Sequence, residues 1–245
     1  MVDAIHFVYK NLLASEKAIE SFRKFNPNSK YIIICDNGDD YTEISKKYNC
    51  DYIHSNKHIG YPKVPYGFYY KDMMEYLDRF IKAVSLCEND NIIIMEDDVH
   101  IINNIIVNSS DEMLVTKNCL GNYIHPIILD FISKISKSNI DNIYGMGGGS
   151  IFKRKSFIEA FKKAKPLIDL NFNMMQTIYP TIGWTDCIIS VIMMCNGNTH
   201  KVNPQLHELS SWGQDYTKIN YDNIDELYQS GISILHHYKK YYHLQ

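Results

Sequence analysis

The stretch Asn91-Ile-Ile-Ile-Met-Glu-Asp-Asp-Val-His-Ile101 constrains this chain more than any other. Residues 92–95 form a short apolar run, rich in β-branched side chains, with the length of a buried strand rather than a helix. Three carboxylates follow at once, Glu96, Asp97 and Asp98, and apolar side chains resume at Val99, Ile101 and Ile102. Adjacent acids between two hydrophobic runs are costly, because like charges repel and burial desolvates them. A divalent cation removes that cost, and carboxylate oxygens are hard ligands suited to magnesium or manganese. The carboxyl end of a strand is also where ligands sit in an open α/β sheet. The other reading of the triplet is a solvated turn after a strand.

The residues before this stretch alternate strand and helix. Residues 5–9 predict a first strand, followed by a helix with Ser15 as its N-cap and Ala18, Phe22 and Phe25 on one face, stopped by Pro27. Residues 30–35 predict a second strand that ends in the polar turn Asp36-Asn-Gly-Asp-Asp40. A helix over 41–48 and a short strand over 51–54 complete a βαβαβ unit, which implies a parallel sheet with right-handed crossovers. Residues 56–67 form a loop. An amphipathic helix over 71–86, with Met74, Leu77, Ile81 and Val84 as its stripe, leads into the central strand.

The second half is less regular. A helix is expected near 126–136 and a Gly-rich strand over 145–154, where Gly145, Gly147, Gly148 and Gly149 allow close approach of a ligand or a neighbouring strand. A helix over 156–164 and a loop over 166–183 come next. The apolar run 185–195 predicts a buried helix ended by Asn196-Gly197. A strand near 199–202, a helix near 224–228 and a strand-like element within 231–239 close the chain. No linker divides it, so the expectation is one α/β domain over 1–245. Its mostly parallel central sheet is flanked by helices on both faces, with a small antiparallel addition.

Composition narrows the function. With 45% apolar and 22% charged residues the chain reads as globular. A net charge of −3 gives no basic surface for nucleic acid or an anionic membrane. The start Met1-Val2-Asp3-Ala4 lacks the regions of a signal peptide, and no apolar run is long enough to span a bilayer. The six cysteines show no metal-type spacing, and Cys35, Cys187 and Cys195 lie in apolar runs as small core residues. These features predict a reducing, cytoplasmic setting. The abundance of Ile, Asn, Lys and Tyr looks like an AT-rich coding bias of the kind common in giant DNA viruses, whose setting would be the host cytoplasm.

The order of these elements carries a resemblance. A βαβ start, a strand ending in Glu96-Asp97-Asp98, a Gly-rich stretch, a helix opening with Asp186 and a late His-Tyr-Lys element follow one another. This order resembles the GT-A class of nucleotide-sugar glycosyltransferases, above all small viral and bacterial members with an EDD version of the Asp-X-Asp motif. The resemblance implies a nucleotide-binding half over 1–100 and an acceptor and catalytic half over 101–245. It implies that Asp98 is the main ligand of Mn²⁺ or Mg²⁺, that Glu96 reaches the ribose or the metal's water shell, and that Asp97 fills the variable middle. Phe7, Val8 and Tyr9 would lie beside the base of the nucleotide, with Asp36 and Asn37 bonding the base or ribose. Residues 147–150, with Gly148 and Gly149, would pass close to the donor sugar or acceptor. Asp186 would act as base in an inverting transfer, His236 would supply a third metal contact, and Lys239 would lie near the diphosphate. His207 is the alternative histidine. The implied donor is a nucleotide-diphosphate sugar of the UDP type, and the implied acceptor a glycan or glycoprotein. One departure stands out: Thr185 precedes Asp186 where a second acid is usual.

Other readings stay open. Asp186 could cap a buried helix, His236 could be a hydrogen-bonded core histidine, and the glycines could serve packing alone. A sugar-1-phosphate nucleotidyltransferase would need a Gly-rich triphosphate loop after strand one, where this chain has Tyr9-Lys-Asn-Leu-Leu13. A non-catalytic nucleotide- or sugar-binding protein on a degenerate transferase fold would have no need of Glu96, Asp98, Asp186 and His236 together.

Overall fold

A computed structural model describes residues 1–56, 70–116, 146–178, 189–190, 192–198, 200–210 and 215–242. Its centre is a parallel run of four strands: β1 (Val2–Val8), β2 (Tyr31–Asp36), β3 (Asp51–Ser55) and β4 (Asn91–Met95), in the order β3-β2-β1-β4. β7 (Ile151–Lys153) then pairs antiparallel with β4, followed by β6 (Met113–Val115) and β8 (His200–Val202). A second sheet joins β5 (His100–Ile101), β10 (Ile234–His236) and β9 (Leu206–Glu208). The expected α/β architecture, mostly parallel with antiparallel pieces, is the one observed.

The continuous apolar runs have a simple cause. Ile92 and Ile94 face one core, while Ile93 and Met95 face another, and Ile32, Ile34 and Ile33, Cys35 divide in the same way. A strand buried on both faces has no polar side to alternate with. The first core is closed by α3 (Tyr70–Leu86), through Leu77, Phe80 and Val84, and by α4 (Arg154–Ile178), through Phe157, Ala160 and Ala164. The second is closed by α1 (Leu12–Phe25), through Ala18, Ile19 and Phe22. α2 (Thr42–Lys47) links β2 to β3, and α5 (Ile224–Gln229) precedes β10. Among the described residues no helix is long and apolar enough to cross a membrane.

Three local expectations need correction. Ser15 is not the N-cap of α1: Asn11 is, its side chain accepting from Ala14 N at 3.2 Å. Ser15 lies buried one turn in, its hydroxyl 3.2 Å from that of Tyr41. The segment after Pro166 is not a loop, since α4 continues to Ile178 with the proline inside it. A proline removes one helical hydrogen bond. The glycine-free flanks, rich in Ala, Lys and Leu, favour helix on both sides of it, and Lys165 pairs with Asp169 across it at 2.9 Å. The glycines at 147–149 precede a strand rather than forming one, because β7 begins only at Ile151. The helix expected near 126–136, Gly145, the start of the 185–195 helix and Cys187 lie outside the described residues. Residues 189, 190 and 192–194 are helical and those on 192–195 are buried, with Gly197 at φ 80 ending the turn.

One buried acid ties the strand entries together. Asp3 is fully buried at the start of β1. Its carboxylate accepts from the backbone N–H groups of Lys30 (3.0 Å), Glu88 (2.6 Å) and Asn89 (2.7 Å), and from the Asn89 side chain (2.7 Å). The chain entering β2 and the turn entering β4 are thus fixed to β1 through one side chain. Hydrogen bonds to a charged group are the strong ones, and leaving buried donors unpaired is costly. Asp3→Ala is expected to lower unfolding stability by about 3 kcal/mol in urea titration; a loss below about 1 kcal/mol would show that water replaces the carboxylate.

Candidate metal centre

The acids sit where β4 runs out. The chain turns through Glu96, Asp97 and Asp98, closed by Val99 N donating to Glu96 O at 3.0 Å, and leaves through β5. β10 pairs with β5, and just beyond it Tyr238 N donates to Asp98 O at 2.8 Å. This bond fixes the end of β10 against the acidic turn. The third wall is the glycine turn, held to β4 by Gly149 N donating to Ile94 O at 2.8 Å. A Cβ on Gly148 would come within 2.7 Å of Val99 Cγ2, 3.0 Å of His236 Nε2 and 3.1 Å of the Glu96 carboxyl carbon. Gly149, at φ +83, would meet Leu206 Cδ1 at 2.3 Å. A side chain at Gly148 would fill the space beside the histidine, and one at Gly149 would collide with the Leu206 and Ile234 side chains.

Within this frame His236 Nε2 lies 3.7 Å from Asp98 Oδ1 and 3.8 Å from Glu96 Oε2. Both gaps are too long for hydrogen bonds. Asp98 is buried, and among the described residues its Oδ1 has no hydrogen-bond partner. Its Oδ2 lies 3.5 Å from Lys239 Nζ. The far side of the ring is held: His236 Nδ1 lies 3.0 Å from Glu208 Oε1. Asp98, His236 and His237 each offer one ligand atom, and these atoms lie within 4.8 Å of one another. Two ligand atoms at about 2.1 Å from one octahedral cation lie about 3.0 to 4.2 Å apart. The two gaps beside His236 fall in that range, and the orphaned Asp98 oxygen is the donor such an ion requires. These residues fit a divalent cation.

The electrostatics agree with this. Burial pulls the His236 imidazole down, but the carboxylates of Glu208, Glu96 and Asp98 overcome it and hold its pKa well above the ordinary value. Burial raises Asp98, with His236 opposing. Burial acts upward on Glu96 as well, yet the imidazoles beside it bring it below the usual carboxylate range. The cluster therefore draws in positive charge, as a proton on His236 or as a cation in its place. Asp97 takes no part in the group. Burial lifts it to about 7, and the Tyr242 hydroxyl donates to it at 2.5 Å.

The strand pairing separates the two histidines. His236 is in register with Glu208, so both side chains leave the sheet on one face, while His207 is in register with Leu235 on the other. His207 is not brought to the acids. Glu208 and His237 stand beside the site although the sequence did not single them out. The adjacent His207-Glu208 and His236-His237 pairs were the available signals, but only the register says which member faces inward. At the edge of β1, Phe7 stacks on Tyr76 and Phe80 of α3, with ring centroids 5.6 and 5.8 Å away. Val8 is buried in the α1-side core, and Tyr9 O accepts from Asp39 N at 2.7 Å. Gly38 lies so close that a Cβ there would be 1.6 Å from Tyr9 O. Asp36 is buried and ion-paired with Arg79 of α3, another residue not foreseen, while Asn37 is exposed at φ 55. Asp186 lies outside the described residues.

No protein-family model matches this sequence, and no curated protein sequence does. Solved structures do. The apo glycosyltransferase GlyE of Streptococcus pneumoniae TIGR4 superposes with a TM-score of 0.50 at 13% identity, over 97% of this chain and 54% of that one. The galactosyltransferase LgtC, in complex with donor and acceptor sugar analogues, gives 0.48 at 9% identity over 95% and 86%. Mouse xyloside xylosyltransferase 1 gives 0.48 at 13% identity over 96% of both chains. This chain thus spans about half of the GlyE chain. At such identities a likeness speaks for architecture and not for activity. Taken with the β3-β2-β1-β4 parallel run and the antiparallel β7 beside it, the likeness to GlyE shows that the chain has the fold of GT-A glycosyltransferases.

Proposed function

We propose that this protein is a metal-dependent glycosyltransferase that moves a sugar from a nucleotide-diphosphate donor, of the UDP-sugar type, to a hydroxyl of a glycan or protein. One observation carries the reading: the buried, unpartnered Asp98 Oδ1 facing His236 Nε2 at 3.7 Å, at the carboxyl end of β4. That edge of an α/β sheet is where ligands bind. Asp98 and His236 hold the cation, with Glu96 at its water shell or at the ribose. When bound, Mn²⁺ or Mg²⁺ would neutralise the charge that builds on the leaving diphosphate.

The other roles belong to the chain's own groups. Lys239, beside Asp98, adds a fixed positive charge at the diphosphate. Asp36 and Asn37, after β2, and Phe7, Val8 and Tyr9, at the end of β1, border the space for the base and ribose. Gly148 leaves room for the sugar against the histidine, and Gly149 lets the turn pack on Leu206 and Ile234 beside it. Asp186 is proposed, on the resemblance alone, to take the proton of the attacking acceptor hydroxyl, giving inversion. Residues 1–100 then serve the nucleotide and residues 101–245 the acceptor and catalysis.

Calorimetric titration with UDP, GDP and CMP nucleotides and their sugars, each with Mn²⁺ and with EDTA, tests the reading. UDP-type binding that requires Mn²⁺ is expected, and it should vanish in Asp98→Ala; no binding of any nucleotide would sink the proposal. Asp186→Asn should leave donor binding intact and slow transfer by about 10²- to 10⁴-fold; near-normal transfer would return Asp186 to helix capping. Glu208→Gln should weaken Mn²⁺ binding by about 10- to 100-fold, as loss of a carboxylate that orients a metal-bound histidine does. His207→Gln should leave Mn²⁺ binding unchanged, and the reverse pattern would exchange the two histidines.

A further inference from the structure

We infer that His237 is a second imidazole ligand of the Asp98–His236 site, giving it two nitrogens and one carboxylate oxygen and selecting first-row transition ions over Mg²⁺. The inference rests on the metal-binding reading above. It begins with the backbone. Consecutive residues of a strand point to opposite faces, so the residue after His236 should turn away from the acids. Instead His237 has φ 59, a left-handed conformation uncommon outside glycine that histidine adopts more readily than most side chains. The result is that the two imidazoles lie on one side, stacked 4.1 Å apart. His237 is buried and takes its place in the group whose ligand atoms lie within 4.8 Å of one another.

The hydrogen bonds prepare both rings alike. His237 Nδ1 lies 2.6 Å from the Ser210 carbonyl oxygen. A carbonyl only accepts, so Nδ1 carries the proton and the lone pair of the neutral ring is on Nε2. His236 presents Nδ1 to Glu208 and Nε2 to the acids. Glu208 Oε2 lies 2.9 Å from His236 Nδ1 and 3.3 Å from His237 Nδ1, so its charge faces both rings although it makes a hydrogen bond to neither. A carboxylate behind one imidazole and a backbone carbonyl behind the other are the partners that orient metal-binding histidines. The donor set decides the ion. Mg²⁺ favours oxygen ligands and keeps its waters, whereas imidazole suits Mn²⁺ less than Co²⁺, Ni²⁺ or Zn²⁺ but better than Mg²⁺. The unpartnered Asp98 Oδ1 supplies the single anionic oxygen.

The test uses the full chain and metal ions alone. Free Mn²⁺ is followed by electron paramagnetic resonance, with Mg²⁺ and Co²⁺ as competitors. Mn²⁺ should bind at least about tenfold more tightly than Mg²⁺, and Co²⁺ more tightly still. His237→Asn keeps the left-handed backbone, which Asn tolerates, and an amide N–H for Ser210. It should weaken Mn²⁺ by at least about tenfold and Mg²⁺ by less than about threefold, closing the gap between them. Equal weakening of both ions, or of neither, overturns the inference. Pulsed resonance of Mn²⁺ on wild-type protein carrying ¹⁵N-histidine gives a count that needs no variant: two histidine nitrogens are expected. One nitrogen would remove His237 and leave the transferase reading standing, whereas no Mn²⁺ binding to the wild type would overturn both.

Discussion

A backbone hydrogen bond, Tyr238 N–H to the Asp98 carbonyl at 2.8 Å, carries the β5–β10 pairing up to the acidic turn and so joins the two parts of the chain that make the site. On one side stands β4, buried on both faces and flanked by β1 and β7. On the other stands β10, held between β5 and β9. Neither strand alone brings an imidazole to a carboxylate. The bond can form because β5 carries the chain straight from the acidic turn into pairing with β10, which makes the two ends adjacent. The position of Asp98 relative to His236 follows from that pairing and from the glycine turn packed beneath it.

The acidic turn shows how burial and charge are balanced. Asp97 is relieved by the Tyr242 hydroxyl, Glu96 by the imidazoles, and Asp98 only in part, through His236 and through Lys239 near one of its oxygens. The remaining oxygen is left without a donor among the described residues. Buried polar atoms are rarely left in this state, and an orphan at the edge of a sheet points to a missing ligand. Other buried atoms also lack a partner among the described residues, but this oxygen faces an imidazole nitrogen across a gap of 3.7 Å, the width a bridging cation needs.

Much of the sheet was legible because its strands are short β-branched runs, buried on both faces and bounded by polar turns. The turn after β2 was readable from Asp36-Asn37-Gly38, and Asn37 does adopt the left-handed backbone there. What could not be read depends on partners far away in sequence. Ser15 looks as good a cap as Asn11 until Tyr41 claims its hydroxyl. Pro166 reads as a helix stop unless the helix-forming flanks outweigh one lost bond. The roles of Glu208 and His237 follow from the register of β9 with β10 and from one left-handed residue, neither of which is written locally. Asp3 looks like a surface acid at a strand entry, but its four donors come from two other segments.

The bond between residues 98 and 238 also sets an order in time. A growing chain lengthens by about 5–20 residues per second. The β1 to β4 core can begin to form while the later segments are still being made. The imidazoles, the lysine and the strand that holds them arrive several seconds afterwards. Until then the acids at the end of β4 have neither His236 nor Lys239 beside them. A nascent chain therefore carries the parallel strands well before it carries the cluster, and that cluster appears only once β10 closes against β5.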